Sequence, residues 1–252
     1  MNTKMPEAND YESTIGIQTF ILVLLAISVG TLAAVVILPT WLPNLANSLM
    51  GEDPKAFWYL SRGSAFAATS LLWLSMALGL GITNKLARIW PGAPAAFAIH
   101  EYVSLLGLAF SIFHALIIIG DHYIQFTVAQ ILVPFTTVGY RPIMIGIGQV
   151  GFYLWLLVAL SFYVRSRIGA KTWRALHYIS FICFCMAFYH GFSSGTDTKT
   201  QWAQIYYWVT GGSLIFLLMQ RIIVSILAKA NKPVRREIPQ TTSIARENTP
   251  SS

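Results

Sequence analysis

The sequence predicts an all-α integral membrane bundle of six transmembrane helices with both termini in the cytoplasm. Three observations carry that expectation. Hydrophobic residues make up 55% of the chain, charged residues only 11%, and mean hydropathy is +0.59, outside the range of an ordinary soluble domain. Six stretches stay apolar over a length that crosses a bilayer as a helix. Lys and Arg fall unevenly on the connections between those stretches. The net charge of +7 is then a mark of loops retained in the cytoplasm, and no basic run interleaved with aromatic residues points to nucleic acid.

Residues 1–14 are polar, and Lys4 is outnumbered by Glu7, Asp10 and Glu12, so the positive start of a secretory signal is missing. The first helix, residues 15–38, is too long for a signal segment and is expected to remain in the mature protein. Pro39 and Pro43 should stop it, with residues 44–55 as an outer loop. The second helix, residues 56–82, carries Arg62-Gly63 near its outer end, a cation that needs a partner. The third, residues 95–120, holds His100 and His114. Residues 121–142 form the longest connection, with QILVPF expected at the membrane interface. A fourth helix, residues 143–164, ends in the basic cluster RSRIGAKTWR, and a fifth, residues 172–192, holds His177 and His190. Cys183 and Cys185 sit two apart on that helix and face different ways, so no disulfide joins them. The sixth helix, residues 203–228, begins at Trp202, Tyr206, Tyr207 and Trp208, a belt of the kind found at headgroup level. Residues 229–252 are a basic, then Ser/Thr/Pro-rich tail expected to be disordered.

Alternating the connections assigns Lys85, Arg88, Arg165, Arg167, Lys171, Arg174 and the C-terminal cations to one side, against Lys55, Arg62, Arg141 and Lys199 on the other. The positive-inside rule makes the first side cytoplasmic, in a cell membrane, which in a bacterium is the inner one. The third and fifth helices both enter from that side and run parallel. His100 and His177 then share the inner level, and His114 and His190 the outer.

Histidine is expensive in a membrane span unless it has work to do. His100 and His114 are fourteen residues apart, about 21 Å of rise and only about 40° of rotation on an ideal helix, so they share one face. Gly107 lies midway on it, leaving bare backbone and room for something flat and large. The thirteen residues between His177 and His190 correspond to an offset of about 140°, so the fifth helix must bend or rewind locally, or the two sites must be rotated. A structural zinc ion would need four converging ligands, and the histidines on each helix are too far apart to share one. A planar macrocycle supplies four equatorial nitrogens itself and asks the protein for two axial ones. Four histidines thus suit two six-coordinate haems, with His100, His114, His177 and His190 as both metal ligands and cofactor-binding residues. The alternative is one haem with the other histidines structural. Small Ser180, Cys183 and Ala187 answer the same need for space. Arg62 and Arg174 are placed to balance anionic propionates, or else are interfacial cations that snorkel. His122 beside Asp121 is an ordinary solvated loop histidine.

The spacing H-x13-H, the WRALH at 173–177 with a second histidine thirteen residues on, SRG at 61–63 and HGFSSGTDT at 190–198 resemble the ferric reductase-like transmembrane domain. That superfamily includes ferric reductases, the membrane part of NADPH oxidases and the haem subunit of a periplasmic methionine sulfoxide reductase system. The resemblance covers about residues 59–227 and implies six helices, b-type haems and electrons moving outward from the cytoplasmic side. Family reductases continue into a flavin and nicotinamide domain, whereas residues 229–252 hold no Gly-rich dinucleotide fingerprint. The expected donor is therefore a separate cytoplasmic flavoprotein, a bound FMN or FAD, or a membrane quinol. The expected acceptor is an outer-side redox protein or small oxidant. The leading expectation is an electron conduit; the alternatives are a metalloreductase acting on ferric chelate or oxygen at the outer haem, and a cofactor-free transporter or scaffold. For the last, Glu101 beside His100 would serve as a proton relay, against its plainer role as an interfacial residue.

Overall fold

The computed structural model describes residues 13–41, 56–84, 92–121 and 123–230. Lys55, Lys85, Arg88, His122, most of the N-terminal segment and nearly all of the tail lie outside the described residues. All regular structure among those described is helical, as a chain that must satisfy its own backbone in lipid requires. The elements are α1 (Ile17–Trp41), α2 (Ala56–Thr83), α3 (Ala93–Ile117), α4 (Val128–Leu132), α5 (Pro142–Tyr163), α6 (Arg165–Ile168), α7 (Ala170–His177), α8 (Ile179–Ser194) and α9 (Gln201–Ala230). Six segments are long and apolar enough to cross a membrane: α1, α2, α3 with its extension to Gly120, α5, α7 and α8 together, and α9.

Neighbouring side chains fix the direction of each span. Ser75 meets His100 and Ser61 meets His114, so α2 is antiparallel to α3. His100 faces His177 and His114 faces His190, so α3 and α7–α8 are parallel, as the loop charges predicted. Trp73 Nε1 donates to Ser213 Oγ at 2.9 Å and Tyr206 meets Ser70, which sets α9 parallel to α2. The shared core draws Phe20 from α1, Leu72 and Met76 from α2, Leu108 from α3, Trp155 from α5, Phe184 from α8 and Leu214 from α9.

Several local expectations change. Pro39 lies inside α1: it cannot donate to the carbonyl four residues back, but its fixed φ is helical, so the helix runs on to Trp41. The aromatic group at the start of α9 is not one belt. Trp208 is 81% exposed, whereas Tyr207 is 7% exposed and packs among Phe66, Phe188 and Phe192. The QILVPF segment is tied to α5: the Gln149 amide nitrogen donates to the carbonyls of Gln130 and Ile131, both at 2.7 Å, and the Tyr153 hydroxyl donates to that of Leu132. Phe135, at φ 63°, lays its ring over Gly146, where no β-carbon intervenes.

Candidate functional site

Each level of the bundle brings one histidine of α3 against one from the α7–α8 span. The ring centroids of His100 and His177 are 6.0 Å apart with planes at 67°. Those of His114 and His190 are 6.2 Å apart at 70°. The spacing problem on the second helix is solved by an interruption: α7 ends at His177, Tyr178 stands between, and α8 begins at Ile179. There the Phe181 N–H donates to the Tyr178 carbonyl three residues back at 3.2 Å, a tighter turn than the α-helix makes and the place where the span departs from ideal α geometry.

Three of the four imidazoles are oriented by main-chain carbonyls of an adjacent helix. Nδ1 of His100 donates to Ser75 O at 2.9 Å, Nδ1 of His114 to Ser61 O at 2.8 Å, and Nδ1 of His190 to Met144 O at 2.8 Å. A carbonyl only accepts, so in the neutral ring Nδ1 carries the proton and Nε2 keeps its lone pair. Serine hydroxyls reinforce two of them. Ser61 Oγ donates to His114 O at 3.1 Å, and Ser75 Oγ lies 3.2 Å from His100 Nδ1 and 2.6 Å from Ser104 Oγ. His177 differs, having no such bond among the described residues and resting on the indole of Trp173, centroids 5.2 Å apart at 30°.

Glycines make room for the rings unequally. A β-carbon on Gly148 would stand 2.7 Å from the His190 ring, whereas one on Gly79 would meet His100 at an ordinary 3.5 Å. Gly107 corrects an expectation. Its face is not open: a β-carbon there would lie 2.6 Å from the indole of Trp155, which is only 8% exposed, so the flat group midway between the two levels is a side chain of the protein itself.

Arg62 finds its partner within the chain. Its Nε donates to Asp197 Oδ2 at 2.8 Å, Nη2 pairs with Oδ1, and the guanidinium lies 5.4 Å from the Tyr59 ring centroid. Sequence reasoning gave Asp197 no role; a lone acidic residue in the short connector just past the Ser194 end of α8 carries no periodic signal. Arg174 is exposed, one helical turn before His177. Glu101 is occupied at a helix start, accepting the backbone N–H of Thr14 at 2.9 Å and of Ile15 at 3.3 Å, just ahead of α1.

A cavity of about 390 Å³ reaches the His114/His190 pair and is lined also by Arg62, Asp197, Cys183 and Ala187. Ser180, expected to serve the same space, is not on its wall. Three buried polar atoms of wall residues, Thr137 Oγ1, Gln149 Oε1 and Ser194 Oγ, have no hydrogen-bond partner among the described residues. No group of three or more His, Cys, Asp or Glu among the described residues converges to hold a bare metal ion, so the site's donors come in pairs. In comparisons with family models, curated proteins and solved structures, nothing matches the chain.

Proposed function

We propose that the protein is a b-type membrane cytochrome of the ferric reductase-like kind, carrying electrons from a cytoplasmic-side donor to an outer-side acceptor. The observation that carries the proposal is the pair of facing imidazoles at each of two depths. A metal–imidazole bond of about 2.0 Å and about 1.1 Å from nitrogen to ring centre, taken on both sides, put two axial rings about 6.2 Å apart. The separations of 6.0 and 6.2 Å suit that span. Buried hydroxyls without partners among the described residues and a roomy apolar wall at the His114/His190 level suit a large planar group with polar edges.

Haem, when bound, supplies one-electron redox chemistry, and the protein supplies position and potential. His100 and His177 hold the inner group, His114 and His190 the outer. Carbonyls of Ser75, Ser61 and Met144 lock the tautomer that leaves Nε2 free for iron. Arg62, steadied by Asp197, and Arg174 offer positive charge to propionates at the two levels. The donor is a flavoprotein, a flavin or a quinol. Replacing His114 with Leu is expected to remove one haem and abolish transmembrane reduction while the inner haem still reduces; two haems per chain in that variant would refute the pairing.

The cavity at the outer pair favours a second reading, in which a small oxidant such as ferric chelate or oxygen is reduced there without a partner. With both axial positions filled, that reduction is outer-sphere. Turnover by the purified protein, given only a reduced donor and the oxidant, separates it from the conduit.

A further inference from the structure

The four imidazoles are not equally held, and the difference falls on one residue. His100, His114 and His190 each lose rotational freedom to a carbonyl on another helix. Among the described residues His177 has ring contacts alone, with Trp173 in its own helix and with His100 opposite. It is also the last residue of α7, at the point where the span is interrupted. Its support is itself unanchored by hydrogen bonding: Trp173 is buried, and its Nε1–H has no partner among the described residues. A ligand without an outer hydrogen bond is a weaker base toward its metal and pays more entropy to stay in place.

We infer that His177 is an exchangeable ligand, and that the His100/His177 site accepts a small neutral lone-pair donor, of the class of carbon monoxide or a free imidazole, in its place. The inference rests on the haem assignment above. The exchange is redox-neutral: the metal–nitrogen bond to His177 breaks, the incoming lone pair forms its replacement, and the imidazole leaves uncharged. Withdrawal needs only rotation of the His177 side chain about its own bonds; α8 begins beyond it, and its His190 remains tied to Met144. The site on the cytoplasmic side is thus the one open to chemistry at the iron, while the outer site stays closed.

The test uses the full-length protein in lipid nanodiscs, reduced with dithionite and titrated with carbon monoxide. Haem is counted independently by pyridine haemochrome. With two haems per chain, carbon monoxide is expected to shift the spectrum of one of them, with an affinity 10- to 100-fold above that of the other. Trp173→Ala should accelerate binding to that haem about tenfold. Gly148→Ala, which crowds His190 at the other level, should leave the amount of faster-binding haem per chain, and its rate, unchanged. Should His177→Gly retain both haems, it converts that fraction to full occupancy at low carbon monoxide. Two haems with no response to saturating carbon monoxide, or a response insensitive to Trp173→Ala, overturns the inference and leaves the haem assignment standing. A haem count of zero removes the assignment, and the inference with it.

Discussion

Gly148 and Gly79 each face a histidine, and a single methyl group should separate them. At Gly148 the added carbon has 2.7 Å to a ring pinned by its own hydrogen bond, so Gly148→Ala is expected to cost about 1–3 kcal/mol and to lower haem content at one site. At Gly79 the same carbon meets His100 at 3.5 Å, and Gly79→Ala should be neutral or stabilise by about 0.5 kcal/mol, read as the unfolding midpoint in detergent. Arg62→Ala strands the Asp197 carboxylate, of which only 16% is exposed, at a cost of about 2 kcal/mol; in the double variant with Asp197→Ala the losses should not add. The histidines were legible in the sequence because a polar side chain in an apolar run stands out and its spacing gives its depth. Their neighbours were not. That Trp155 rather than a cofactor covers Gly107, and that Glu101 accepts from the start of α1, depend on how helices distant in sequence lie side by side.

At the scale of elements, apolar length located all six spans to within a few residues, because hydrocarbon thickness leaves little choice. Ends and breaks were read less well. Pro39 reads as a stop in the sequence, yet near the C-terminus of a helix it removes only one bond and the chain continues. The offset between His177 and His190 required a bend or rewinding without saying where; the break falls beside His177 itself, a position no residue preference marks. The α4 segment is expected at the interface on composition, and two side chains of α5 attach it, the Gln149 amide and the Tyr153 hydroxyl. Gln149→Leu deletes both of that amide's donations, which should cost about 2 kcal/mol and raise hydrogen exchange across residues 128–133 while α5 stays protected.

For the whole molecule, the parallel course of α3 and α7–α8 was deduced from loop charges and reappears in the pairing of their histidines. Labelling tests the orientation in the bilayer: with Cys183 and Cys185 changed to Ser, a cysteine at Lys199 should react with an impermeant maleimide added outside intact cells, and one at Arg167 should not. Reaction from the wrong side would invert donor and acceptor. The outermost helix has its own lesson. Only Phe20 and Thr31 of α1 are buried; its ties include the aromatic stack of Phe20 on Tyr163, the place of Phe20 in the shared core, the grip of Glu101 on Thr14 and Ile15, and apolar contacts near Phe57. Such a helix is an outrigger, so two polypeptides divided between α1 and α2 are expected to find each other again in the lipid.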